Sequence, residues 1–351
     1  MSGVFDTLNR TLTCNPTVIA DKSRGYQVKP GMTGIMLLVS IFCLCAFFCG
    51  GCQAAPAPVQ PVITMPQAEL EPQEGLQEGA FTLSGGKQYL QCRHYDEKGF
   101  FKALEQAVPY SVNGRLLAAV SPHFLPVMTY TANILSTLAH ADSVAHTIYV
   151  LAPNHSGEGL PLIVADRGWT TPFGFLEADE EATSAILKSP QLTGMIDMDL
   201  YHLQSDHSAA TLMPFIKYYL PEASVVTILL SQGCPLVALE ALSAAIYESS
   251  KSKEVFVLAS VDFSHYLPIE ETAARDKITQ ELIYAGDIPA IKAMDSGNLD
   301  SPEAMVTLLY YTANFPNAHT ELMDHVVLPE SEKMPFIGYS YSAYIFSVYD
   351  R

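Results

Sequence analysis

Three histidines follow three apolar runs in the same way. LLAAV is followed by Ser121-Pro122-His123, YVLA by Pro153-Asn154-His155, and VFVLAS by Val261-Asp262-Phe263-Ser264-His265. Imidazole is the commonest nitrogen ligand for transition metals and exchanges a proton near neutral pH. Two imidazoles and one carboxylate on a metal ion leave positions open for substrate and oxygen, the pattern of non-haem Fe(II) centres. Carboxylates available for the third place are Asp300 and Glu303, at the expected helix start NLDSPEAM, or Asp262 itself. A single histidine past a strand more often just hydrogen-bonds a loop carbonyl. Three of the ten histidines in one such position favour a shared site. His207, in Ser205-Asp206-His207-Ser208, is a fourth candidate; Ser205 or Asp206 could equally be a plain helix cap there, so a substrate contact and a local role both stay open. His202 is similarly placed with less to recommend it, and His94, His140, His146, His319 and His325 read as structural.

The elements that must hold these residues alternate. Strands are expected at Arg115–Val120, Thr147–Ala152, Pro161–Ala165, Ser224–Leu230 and Val255–Ser260, and near His319–Leu328 and Phe336–Val348. Helical patterns fall at Val127–His140, Asp179–Lys188, Ser208–Leu220, Leu236–Ser249, Glu270–Ala285 and Pro302–Ala313. That order predicts an α/β fold with a largely parallel sheet covered by helices on both faces. YVLA, VVTILL and VFVLAS are apolar throughout, as strands buried on both sides should be. The last segment, FIGYSYSAYIFSVYD, alternates and is expected to run antiparallel or near an edge. In open α/β sheets, functional groups gather beyond the carboxyl ends of the strands, where the three histidines fall.

Charge excludes one class of function. With 19 basic and 37 acidic residues among 351, the chain carries −18, which disfavours nucleic acid, since phosphate neutralisation needs clustered Lys and Arg. The GIMLLVSIFCLCAFFC run at residues 34–49 follows Lys22, Arg24 and Lys29 and precedes Gly50-Gly51-Cys52. A basic flank, an apolar stretch and small residues form the layout of a secretory signal. Gly51-Cys52 resembles a bacterial lipobox, with Cys49 where that motif usually has Leu; an uncleaved signal anchor is the alternative, and a buried core helix a third. Either leading reading puts the rest outside the cytoplasm and at the membrane. Residues 1–53 are thus read as targeting, 54–78 as a Pro/Gln/Glu-rich tether, and 79–351 as the folded domain. No P-loop or GxSxG elbow is present, and Cys234 in SQGCPL reads as a buried structural thiol.

The segments SPHFLPVMTYTANIL, VLAPNHSGEG, GWTTPFGFLEADEE, SDHSAATLMPFIKYYLP and ASVDFSHY, in that order, resemble the Memo family, also called AmmeMemoRadiSam system protein B. The resemblance spans nearly the whole folded part, and APNH with DFSHY is its strongest component. It implies a three-layer α/β sandwich with a largely parallel or mixed central sheet, related in fold to class III extradiol dioxygenases. It also implies a divalent transition metal, Fe(II) first and copper second, and a functional link to AMMECR-type and radical-SAM proteins. By resemblance, His123 and His155 are metal ligands, His265 matches an acid/base histidine, and His207 matches the family's EHS histidine and is assigned to substrate binding.

Two departures stand out. The family's PHAGY turn is here Pro122-His123-Phe124-Leu125-Pro126, and its metal-binding Cys is replaced by Asp300. A thiolate favours softer metals, whereas a carboxylate oxygen is hard. Asp300 would complete a two-His-one-carboxylate set, with Asp262 orienting His265 for proton transfer. The leading expectation is a non-haem metal oxidoreductase acting on a small molecule. A non-catalytic metal- or ligand-binding module at the membrane and a metal-dependent hydrolase are the alternatives.

Overall fold

Four apolar runs form the parallel heart of the sheet. In a computed structural model that describes residues 82–141, 144–331 and 334–348, Arg115–Ser121, Val255–Ser260, Thr147–Pro153 and Ser224–Leu230 lie side by side in that order, all parallel. Successive side chains point to opposite faces, so each run serves two cores at once. Tyr149 and Leu151 pack on one side with Leu239, Leu242 and Met305. Ile148, Val150 and Ala152 pack on the other with Ile134, Leu138 and Phe215. Leu236–Ser249 and Pro302–Thr312 cover the first face, and Thr129–Ala139 and Met213–Tyr219 the second. The result is a three-layer α/β sandwich.

The sheet is mixed at its flanks. Met334–Val348 runs antiparallel to Arg115–Ser121, as its alternation suggests, and forms a hairpin with Ala318–Ser331. Its length lets it also pair with the short His265–Pro268 strand, so it is not an edge. On the far side, Leu162–Val164 runs antiparallel to Ser224–Leu230.

Three differences from the expected elements have local causes. The helix expected over Ser208–Leu220 is two pieces, His207–Ala210 and Met213–Tyr219; Pro214 lacks the amide hydrogen that a continuous helix would require, and it sits in the first turn of the second piece instead. A separate small sheet joins Thr82–Ser84, Lys87–Gln91, Trp169–Thr171 and Gly174–Leu176, and an unforeseen helix spans Glu97–Gln106 behind the side-chain cap of Asp96. The targeting and tether segments lie outside the described residues. No described helix is long and apolar enough to cross a membrane.

Candidate metal centre

The parallel strands deliver their carboxyl ends to one edge, and the loops beyond Ser121, Pro153 and Ser260 bring His123, His155 and His265 to a single cleft. Each ring is fixed by the partner of its Nδ1. His123 is buried, and its Nδ1 meets Ser260 Oγ at 3.0 Å. Ser260 spends its own hydroxyl proton on the Ser208 carbonyl at 2.7 Å, so towards His123 it can only accept. Nδ1 therefore carries the ring proton, and Nε2 is left with its lone pair.

His155 is treated the same way by a different group. Asp206 Oδ2 accepts its backbone N–H at 2.8 Å and Asp206 Oδ1 its Nδ1–H at 2.9 Å. The same carboxylate caps the His207–Ala210 helix, accepting from Ser208 N at 2.9 Å and Ser208 Oγ at 2.6 Å. An imidazole oriented by a carboxylate on its far nitrogen is the arrangement by which proteins hold metal-binding histidines. His265 donates Nδ1–H to the Phe263 carbonyl at 2.7 Å. All three rings keep Nε2 for the cleft.

The carboxylates come from two loops locked together. Asp300 N donates to the Asp262 carbonyl and Asp262 N to Asp300 Oδ1, both at 3.1 Å. Asp300 Oδ2 is thereby left 3.2 Å from His123 Nε2 and 4.0 Å from His155 Nε2. Asp262 accepts the His123 backbone N–H on Oδ1 at 3.0 Å, and its Oδ2 lies 3.6 Å from His123 Nε2. The expected pairing of Asp262 with His265 is therefore corrected. Phe263 bridges to Leu299, which turns Asp262 towards His123 and leaves the Phe263 carbonyl to hold His265. Glu303 is excluded, because its Oε1 is taken by Lys292 Nζ at 2.9 Å and Gly233 N at 2.8 Å.

Electrostatics follow from burial. Burial, and then the neighbouring Asp262 charge, push the Asp300 carboxyl well above its ordinary range. Burial pushes Asp262 up to about 7. The same loss of water, with the nearby rings of His207 and His155, pushes His123 well below 6.5, and burial lowers His265. Without a cation the stable arrangement is a neutral one, with Asp300 protonated and donating to the bare His123 Nε2. A divalent ion would take the place of that proton, so the donor set fits one.

Asp206 is the exception among the acids. Burial works against its charge, but the hydrogen bond from His155 and the Ser208 bonds outweigh it and hold the carboxyl below its usual range. Its stabilising contribution is thus present above the ordinary aspartate range and is lost as pH falls through the lowered value. Asp206→Asn is expected to weaken metal binding about 10- to 100-fold and to cost roughly 2 kcal/mol at pH 7. Thermal melts should show that deficit shrinking below pH 4 (about the ordinary aspartate value), and metal titration checks the affinity.

His207 stacks on His155, centroids 4.7 Å apart at 15°, and meets His123 edge-on at 5.2 Å. One ligand atom each from His123, His155 and His207 lie within 4.8 Å of one another, and so do those from His123, Asp262 and Asp300. The trio expected from sequence, His123, His155 and Asp300, straddles these two groups. The cleft has a volume of about 630 Å³, and Phe124, Tyr266, Tyr339 and Tyr341 line it. Phe124 stacks on Tyr341 at 5.0 Å. Tyr266 beside His265 takes a left-handed φ of 61°, a strain that bulky residues hold mostly at functional loops. His202 instead bonds Asp199 and Glu158 outside this group. The Cys234 thiol is pushed up to about 12, chiefly by burial, which disfavours the reactive thiolate.

Sequence reasoning missed Ser260 and gave Asp206 only a capping role. A serine closing an apolar strand just before the Asp262–His265 loop is the one local signal for Ser260, and nothing local marks Asp206 as the partner of His155.

Comparison with known proteins places the chain in a wider set. The model of the Memo-like protein family matches residues 95–348. A MEMO1 family protein of Desulfurococcus amylolyticus is 33% identical over 173 residues, covering 47% of this chain and 60% of that one. A second, from Thermococcus onnurineus, is 35% identical over 162 residues, covering 44% and 54%. The chain thus spans little more than half the length of these curated relatives. An uncharacterised protein of Escherichia coli K12 of known crystal structure aligns with a TM-score of 0.46 and 11% identity, covering 66% of this chain and all of that one.

Proposed function

The chain belongs to the Memo-like protein family, and from that premise we propose that it is a metal-dependent oxidoreductase whose ion is held by His123, His155 and Asp300. Iron(II) suits the two-nitrogen, one-oxygen set best, and copper is second. The observation that carries this reading is the fixed proton position on two rings. Ser260 and Asp206 can only accept from His123 and His155, so both rings offer bare Nε2 atoms, 3.2 Å and 4.0 Å from one oxygen of Asp300.

When bound, such an ion supplies a Lewis acid with open positions and, for iron or copper, one-electron exchange with oxygen. The remaining work falls to the chain itself. His265 has Nδ1–H committed to the Phe263 carbonyl and is kept neutral by burial, which makes its Nε2 a base for an acidic proton of the substrate. Phe124, Tyr339 and Tyr341 wall the cleft and limit the access of water. Burial raises the phenols of Tyr339 and Tyr341, so they stay neutral and can donate hydrogen bonds to a ligand. We place this activity outside the cytoplasm, at the membrane, on the order of basic flank, apolar run and Gly50-Gly51-Cys52.

Oxygen uptake by the metal-loaded full chain, measured across a panel of phenols and catechols, tests the reading. Turnover that depends on His123 and Asp300 supports it. Metal uptake without oxygen consumption would favour a binding module, and zinc occupancy with ester or amide cleavage a hydrolase. His265→Ala is expected to keep its metal while turnover falls about 100-fold or more. Because its base form persists below the ordinary imidazole value of 6.5, the acid limb of the wild-type pH profile should lie below pH 6.5 and be lost in the variant.

A further inference from the structure

We propose that His207 is a metal ligand, and that beside the His123, His155 and Asp300 set the centre has two further coordination modes sharing His123: nitrogen-rich with His155 and His207, and oxygen-rich with Asp262 and Asp300. This rests on the metal-binding reading above and goes beyond its ligand set. The His123 ring stands between a pair of carboxylates and a pair of imidazoles. The carboxylates approach to 3.2 Å and 3.6 Å. On the other side the ring of His207 comes to 5.2 Å, centroid to centroid, and that of His155 to 5.4 Å. Either group of three brings its ligand atoms within 4.8 Å of one another.

Asp206 ties the nitrogen-rich half together. It holds the backbone and ring of His155 and caps the first turn of the helix on which His207 stands. His207 is therefore placed by the same carboxylate that orients its neighbour. His94 is the next ring outward, 5.9 Å from His207, but its Nε2 bonds the Ser205 carbonyl at 3.3 Å, which sets the outer limit of the group.

The two halves suit different ions. Asp262 and Asp300 bring two negative charges to a hard divalent cation such as Mn(II), which prefers oxygen. Three neutral imidazoles bring none, and they suit copper, whose bonds to nitrogen are strong enough to do without that compensation. The same cleft can thereby discriminate between ions by choosing which half of the ring of donors closes on them.

The experiment is titration of the full chain with Cu(II) and with Mn(II), separately, followed by electron paramagnetic resonance of the copper form. Wild type should show three coupled nitrogens on copper. His207→Ala should lose one of them and bind Cu(II) at least about tenfold more weakly, with Mn(II) affinity unchanged within about twofold. Asp262→Asn should show the reverse preference. Retained Mn(II) binding by His207→Ala also shows that the variant is folded. Two coupled nitrogens in wild type, an unchanged copper affinity in His207→Ala, or equal loss of both ions would overturn the proposal while leaving the metal site itself standing. Failure of wild type to bind either ion would overturn both readings together.

Discussion

His123→Ala is expected to abolish metal binding while leaving a folded protein. His123 is the one ring common to both groups of donors, and its neighbour His155 is held in place by Asp206. The loss in affinity should exceed the roughly 100-fold that removal of an outer partner can cost. The structural cost is smaller. Ser260 keeps its own donation to the Ser208 carbonyl, the Asp300 carboxyl loses its acceptor on His123, and a ring-sized cavity at a sheet end costs on the order of 2–3 kcal/mol. Metal counting after desalting, paired with a thermal melt, separates the two effects. A variant that still melts cooperatively yet retains no ion is the expected result.

The second large effect is a crossing. Asp300→Asn should destroy Fe(II) binding and at the same time stabilise the metal-free protein at alkaline pH. Asp300 and Asp262 are carboxyls whose pKa rises on folding, Asp262 to about 7. Such groups contribute stability that is full below the ordinary aspartate range and is lost as pH rises through the folded value. Metal-free wild type should therefore lose stability as pH rises from the ordinary aspartate range through the folded value of Asp262, about 7. Asparagine is neutral at every pH. Its Oδ1 can still accept from Asp262 N, and its amide can donate to the bare His123 Nε2 as the protonated carboxyl does. At pH 8 the metal-free variant should be more stable than wild type by about 2 kcal/mol, the scale of one poorly compensated buried polar group, or about 5 °C in Tm for a domain of this size. Saturating Fe(II) reverses the order, since an ion at 1,000 times its Kd adds about 4 kcal/mol to wild type and nothing to the variant. Melts at pH 5 and pH 8, with and without metal, check both halves.

The sequence exposed some of this and hid the rest for physical reasons. Strands such as Thr147–Pro153 and Val255–Ser260 were legible because burial on both faces leaves only apolar residues, and the histidines past them inherit their convergence from a parallel sheet. The small sheet was not, since Trp169–Thr171 and Gly174–Leu176 are three residues each, too short to show a period. Neighbours in sequence misled at Asp262 and His265, which a sharp turn through Phe263 sends to different partners. Asp300 and Glu303 are equivalent candidates on paper; the helix cap at Ser301 separates them, with Glu303 drawn to Lys292. Asp206 and Ser260 act across 51 and 137 positions of chain, and nothing local in a sequence reports a pairing of that span.

The most direct test of the central claim is anaerobic reconstitution of the full chain with Fe(II), followed by removal of free ion and metal analysis. Wild type and His265→Ala should each retain one iron per chain, and His123→Ala and Asp300→Asn should retain none. Wild type that keeps neither iron nor copper, or an Asp300→Asn variant that keeps as much iron as wild type, would contradict it.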